Sequence, residues 1–340
     1  MAKRVRLIDI ADRLNLTKVS VSKALRDHPD ISAETRELVK QTAAEMGYTP
    51  NLVARSLSSK RSHTLGVVVP KIAHTFFSSV IEAVQEEATQ RGYGIVLAVS
   101  NETAALEQQH IERLLAMHVD GLLVSVSKEA PVIEIYKRVR DLGVPLVFFD
   151  RQVKGLGFSS VTVDDRVGAE RGVRHLIEQG HTKIAYIGGT NEVEIGRERL
   201  AGYEAAMQAH GLPIRDEWVI EGGFDEGHGY RAFLEILETD SLPEAIFAAT
   251  FPTGLGLWGA IRDHRPDLAG QIQIGTFGQG DASEFYTYPH VCVRQATGVM
   301  GRKALDLVLR EIEGGEGQEP QHVVLETELV LPEAHAASHT

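Results

Sequence analysis

Among 340 residues there is one cysteine, Cys292, so no internal disulfide can form and a reducing compartment suits the chain. No apolar run is long enough to cross a bilayer. The opening Met1-Ala2-Lys3-Arg4-Val5-Arg6 is basic, but no signal-peptide apolar core follows it. A soluble, cytoplasmic (nucleoid-associated) protein with no membrane partner is therefore expected. Catalytic signatures are missing too: there is no GxSxG elbow, P-loop or HExxH. The fourteen histidines show no paired metal spacing inside a structured segment, since His335 and His339 stand four apart only in the tail. No enzyme activity, catalytic residue, cofactor or metal site is expected.

What is present indicates a globular protein, with 43% apolar and 24% charged residues and enough length for two or three compact units. Charge is divided unevenly. Residues 1–62 hold twelve Lys and Arg against seven Asp and Glu, a balance of +5, while the net charge of −12 leaves −17 on the remainder. A basic head on an acidic body directs polyanions to one end.

That head begins with two short helices. Leu7, Ile10, Ala11 and Leu14 recur at helical spacing, and Val21, Ala24 and Leu25 form a second apolar stripe. Between them Asn15 tolerates a left-handed turn and Thr17 can cap the next helix. Ala11 is small enough for the helices to cross closely. Outside on the second helix stand Lys18, Val19, Ser22, Lys23 and Arg26, cations for phosphates beside short side chains for base edges. Ser32 caps a third helix whose Leu38, Val39, Thr42 and Met46 should face the first two, and Gly47 ends it. A Pro-started segment, Tyr48–Leu57, is too short to persist as a helix alone and should fold only against a partner. Its Leu57 suits a wedge between base steps in the minor groove.

From Thr64 onward apolar runs alternate with amphipathic helices, which predicts parallel sheets covered on both faces. The runs are Leu65–Val69, Ile95–Val99, Leu122–Val126, Leu146–Phe149, Ile184–Ile187, Ala245–Ala249 and Ile272–Phe277. They are too many for one sheet, so two lobes are expected. Val293–Gln295 and the helix Met300–Ile312 should return the chain to the first lobe, and Val323–Leu331 gives late strands.

These features carry a family resemblance. Ile8-Asp9-Ile10-Ala11, Val19-Ser20-Val21-Ser22-Lys23-Ala24-Leu25, Gly47-Tyr48-Thr49-Pro50-Asn51 and Val53-Ala54-Arg55-Ser56-Leu57 resemble motifs of the LacI/GalR family of bacterial transcription regulators. In the core, Val119-Asp120-Gly121-Leu122, Phe149-Asp150-Arg151 and Arg199-Leu200-Ala201-Gly202-Tyr203 add to the likeness. The resemblance implies an all-α helix-turn-helix head on an α/β core like a periplasmic binding protein, with two parallel-sheet lobes. Its expected divisions are 1–48 for the head, 49–63 for hinge and linker, 64–163 with 293–324 for the first lobe, 164–292 with 325–332 for the second, and a frayed tail at 333–340.

The family resemblance further implies a homodimer that represses transcription from a pseudo-palindromic operator in double-stranded DNA. Thr17, Lys18, Val19, Ser22 and Lys23 would meet bases or phosphates, and Asn51, Ala54, Arg55 and Leu57 would serve the hinge, Leu57 as the wedge. A small-molecule effector, commonly a sugar or purine, would bind between the lobes, at the carboxyl ends of the strands. Its candidate contacts are His74, Phe76, Phe77, Ser125, Asp150, Arg199, Phe224, Phe251 and Gln295.

Two departures stand out. Relatives usually carry Asn-Asp where this chain has Thr250-Phe251, and aspartates after a Gly-aromatic pair where it reads Phe277-Gly278-Gln279. Either the effector is not an ordinary monosaccharide, or effector control is altered or absent; a carbohydrate-related effector follows from family frequency.

Two other readings compete. Gly254-Leu255-Gly256-Leu257-Trp258-Gly259 fits GxGxxG and raises an NAD(P)-dependent oxidoreductase. The motif lies late in the chain, though, and the next strand offers no carboxylate for a ribose. Those glycines are better explained as the small face of a helix packed on its sheet. A solute-binding receptor would share the two lobes but would have no use for the head.

Overall fold

The computed structural model describes residues 5–49, 61–129, 131–278, 290–314 and 319–331. Residues up to Ser62 form one compact unit and those from His63 onward another.

In the first unit α1 (Leu7–Leu14), α2 (Lys18–Ala24) and α3 (Ala33–Glu45) enclose a core of Ile10, Ala11, Val21, Ala24, Val39 and Ala43. Asn15 takes the left-handed conformation expected of it, with φ 54°. The Thr17 hydroxyl accepts from the Ser20 amide at 3.0 Å and so caps α2. Ser32 caps α3 in the same way through the Thr35 amide. Leu38 departs from expectation: it is 50% exposed, because Val39, Thr42 and Ala43 take the inward face of α3.

The second unit contains two six-stranded sheets. The first is built from β1 (Thr64–Val69), β2 (Gly94–Val99), β3 (Gly121–Val124), β4 (Leu146–Phe149), β5 (Ser159–Val163) and β11 (His322–Leu325), in the order β11-β5-β4-β3-β1-β2. The second is built from β6 (Ile184–Gly188), β7 (Val219–Glu221), β8 (Ala245–Ala248), β9 (Gln273–Phe277), β10 (His290–Gln295) and β12 (Thr327–Val330), in the order β12-β10-β9-β8-β6-β7. All described pairings are parallel except β10 with β12.

Helices cover both faces of each sheet. On the first, α4 (Thr75–Gln90) packs with α11 (Thr297–Gly314), and α5 (Ala104–Ala116) with α6 (Ile133–Asp141) opposite. On the second, α7 (Asp165–Glu178) packs with α8 (Glu194–Ala209), and α9 (Glu226–Leu237) with α10 (Phe251–His264). The buried strands read as apolar runs because both of their faces meet helices.

The chain passes between the sheets three times, at Asp164, Ala296 and Glu326. This corrects two expected boundaries. Val293–Gln295 belongs to the second sheet, since β10 pairs with β9 and β12 and only the following α11 returns to the first. Leu325 belongs to the first sheet, paired with Val163. Strand β5 escapes the apolar pattern because it reads Ser-Ser-Val-Thr-Val. Its buried hydroxyls are satisfied, Ser159 donating to Glu311 at 2.5 Å and Ser160 sharing a 2.9 Å hydrogen bond with His322.

The GxGxxG glycines prove to be packing residues. A Cβ on Gly256 would lie 1.9 Å from the Glu226 carbonyl oxygen, and one on Gly254 would lie 2.6 Å from the Thr276 methyl. So Gly256 lets α10 approach α9, and Gly254 seats α10 on its sheet. Gly256→Ala is expected to destabilise the core by about 1–3 kcal/mol, read as a lower urea midpoint for the core transition; an unchanged midpoint would contradict this packing.

Candidate functional site

Two surfaces concentrate the chemistry. On the head, α2 turns Thr17, Lys18 and Val19 outward, with Ser22 and Lys23 partly covered. Val19 is 66% exposed, an uncommon place for a β-branched apolar residue unless something covers it. Lys18 has no partner among the described residues, whereas the Lys23 ammonium donates to Asp30 at 2.6 Å. That hydrogen bond holds the Asp30 carboxyl below its ordinary range. The Arg26 guanidinium donates to the Ser22 carbonyl oxygen at 3.1 Å. Asn51, Ala54, Arg55 and Leu57 lie outside the described residues.

The second surface is a cleft between the two sheets, a cavity of about 230 Å³ at the carboxyl ends of the strands. Eight of the nine candidate effector residues line it: His74, Phe76 and Phe77 at the start of α4, Asp150 after β4, Arg199 on α8, Phe224 after β7, Phe251 at the start of α10, and Gln295 at the end of β10. Ser125 does not reach it. Fully buried, it donates to Asp150 Oδ2 at 3.2 Å and so acts from behind.

Asp150 sits at a sharp three-residue turn: Arg151 N–H donates to the Phe149 carbonyl at 2.7 Å, and Asp150 has φ 61°. Aspartate is one of the few residues that tolerates this region. The turn brings an acid and a base into the wall side by side, with Arg151 Nε 3.7 Å from Asp150 Oδ2. Burial pushes the Asp150 carboxyl upward against the pull of Arg151 and Arg199.

Each guanidinium is held between a carboxylate and a ring face. Arg151 donates to Glu102 at 2.8 Å and lies 4.7 Å from the Phe224 ring centroid. Arg199 Nε donates to Asp165 at 2.8 Å and Nη1 to the Ala249 carbonyl at 2.6 Å, while Nη2 lies 2.8 Å from the same Asp165 oxygen. The Arg199 guanidinium lies 3.8 Å from the Phe277 centroid. An arginine carries five N–H groups, so two on Arg199 remain for a ligand. Most of the donor capacity of Arg199, a candidate effector contact, is taken by Asp165 and Ala249.

Arg151 and Phe277 line the cavity, and Glu102 and Asp165 support it, but sequence reasoning named none of them as a site residue. Arg151 had a signal, because it follows Asp150 in the quoted motif. Asp165 had none, because the strand before it was not visible.

Among the described residues, Arg151 over the Phe224 ring and Lys154 with Glu194 at 2.5 Å reach from one lobe to the other across the cleft. His74, in the first-lobe wall, is kept toward its neutral form by burial.

Comparison with known proteins agrees with both surfaces. Residues 6–51 match the family described as bacterial regulatory proteins, lacI family. Residues 62–328 match periplasmic binding proteins and the sugar binding domain of the LacI family. Catabolite control protein A of Priestia megaterium is 30% identical over 79% of this chain and 81% of its own length. The HTH-type transcriptional regulator CelR of Thermobifida fusca is 30% identical over 98% of both chains. A solved transcriptional regulator CelR–cellobiose complex superposes with a TM-score of 0.72 at 28% identity, covering 97% of this chain and 99% of that one.

The Asp165–Arg199 pair generates a pH dependence. Burial raises the Asp165 carboxyl to about 6 from an ordinary 3.8, although Arg199 opposes it. The folded state therefore retains a proton that the unfolded state releases, and this group's contribution to stability falls as pH rises from 3.8 to about 6. Asp165→Asn removes that slope. Relative to the unsubstituted protein its stability should rise across the window in urea unfolding, and parallel curves would refute the assignment.

Proposed function

Because the chain belongs to the LacI family of bacterial regulatory proteins, we propose that it is a sequence-specific DNA-binding repressor whose operator affinity is set by a small molecule held between the lobes of its core. Residues 1–48 read the duplex, 49–63 form the hinge, and the remainder senses the effector as a homodimer in the cytoplasm, on the nucleoid. Membership of a family of transcriptional regulators argues against a catalytic role.

The observation that carries the DNA reading is the outward face of α2. Lys18 and Val19 stand exposed on a helix that the Thr17 hydroxyl caps, while the apolar residues behind them are buried. Val19 has no hydrogen bond to give, so it reads a thymine methyl or excludes bulk, while Lys18 seeks a base acceptor or phosphate. Leu57 on the hinge is the minor-groove wedge.

Carbohydrate chemistry is the natural class for the effector, since the matched core family includes sugar-binding domains and the CelR structure holds cellobiose. Binding energy that differs between open and closed lobes shifts whether paired hinges can fold together on DNA.

Selection of duplexes from a random library tests the reading directly. A symmetric enriched site is expected, with affinity falling steeply as salt rises; no sequence preference with or without metabolites would overturn it. On that site, Leu57→Ala should weaken binding while leaving the dimer intact. Asp30→Asn, by releasing Lys23, should strengthen binding to all duplexes alike, and an unchanged affinity would show that Lys23 takes no part.

A further inference from the structure

Three of the polar side chains lining the cleft, Arg151, Arg199 and Arg294, can only donate. Arg151 is 4% exposed, and its Nε has no hydrogen-bond partner. The Gln295 Nε2 is buried and likewise unpartnered. Arg199 keeps two N–H groups unspent. The first turn of α4 lines the same cavity, and no side chain caps it, since His74 at the N-cap makes no such bond. A helix start adds unpaired N–H groups and a partial positive charge.

Acceptors are few. Asp150 supplies the one carboxylate among the described lining residues. Glu102 and Asp165 are already spent on Arg151 and Arg199. Much of the remaining wall is apolar, formed by Phe76, Ile195, Phe251 and Phe277. Every hydroxyl of a neutral sugar brings a donor that needs an acceptor, and a buried donor left unmatched is costly. This wall suits the opposite ligand, one rich in acceptors and otherwise apolar or flat.

The geometry points to a small carboxylate-bearing ring compound as the effector: its carboxylate accepts from the cleft's unspent donors and its body lies against the phenylalanines. A carboxylate matches the planar fork of a guanidinium. A phosphate ester carries nearly twice the charge and would meet the Asp150 carboxylate, 3.7 Å from Arg151 Nε. A volume of about 230 Å³ holds one small ring rather than a drug-sized ligand. This inference rests on the effector reading above and narrows it.

The test is calorimetric titration of the full-length protein with glucuronate, its neutral isostere glucuronamide, glucose, glucose 6-phosphate and benzoate. At least one of the two carboxylates should bind about ten-fold more tightly than glucuronamide and glucose, the difference a charge-assisted hydrogen bond supplies. Tighter glucuronate identifies a sugar acid as the body, and tighter benzoate an aromatic acid. Gln295→Leu should reduce the preference of the better carboxylate over glucuronamide. Equal or tighter binding of the neutral ligands, or no binding by either carboxylate, overturns the proposal, and tighter glucose 6-phosphate overturns the choice of carboxylate. The comparison among ligands uses the unsubstituted protein, so it stands even if the variant does not fold. Operator affinity is measured in parallel: carboxylate binding that leaves it unchanged refutes effector control and with it the effector role, while the cleft's preference for a carboxylate stands.

Discussion

A guanidinium does not give up its proton inside a protein, so a fold that buries one must surround it with compensation. Among the described residues two are buried, at the floor of the cleft, and both are answered in the same way. Arg151 rests on Phe224 and is paired with Glu102, and Arg199 rests on Phe277 and is paired with Asp165. The arrangement fixes the ring faces, the acid–base turn at Asp150 and the donors left over. Because Arg151 comes from the first lobe and Phe224 from the second, the same compensation couples the two halves. The site is therefore a set of charges held ready rather than a hole lined by chance.

The alternating strands and helices were legible because a buried parallel strand must be apolar on both faces, and β1, β3, β4, β6, β8 and β9 obey that rule. Strand β5 was not, because its serines replace apolar burial with hydrogen bonds to Glu311 and His322, partners more than one hundred and fifty residues away. The crossing after β10 was placed too early for a related reason. Nothing in Val293-Arg294-Gln295 says which of two sheets will accept it, since both offer the same apolar faces. The wall residues were legible through the family resemblance, and Asp150 also through its place after the apolar run Leu146–Phe149. Their supports, Glu102 and Asp165, were hidden because an acidic residue that pairs with a buried cation looks like any other surface acid.

The head shows how little sequence is needed when each residue has one task. Asn15 turns the chain, Thr17 starts the next helix, and Ala11 allows the close crossing, leaving a small core that releases the outer face of α2 from any packing duty. The glycines of α10 make the converse point. A pattern associated with cofactor phosphates serves here to bring two helices together, and only the neighbouring backbone reveals which use applies.

The three passages between the sheets lie side by side. Asp164 N–H donates to the Leu325 carbonyl at 3.3 Å, and Gln295 stands opposite Thr327 in the β10–β12 ladder. Sliding one lobe along the other would shear those ladders, while twisting needs only changes of dihedral angle at Asp164, Ala296 and Glu326. A ligand that drew the walls together would therefore act as a torque about this seam, turning a small chemical event into an angular displacement.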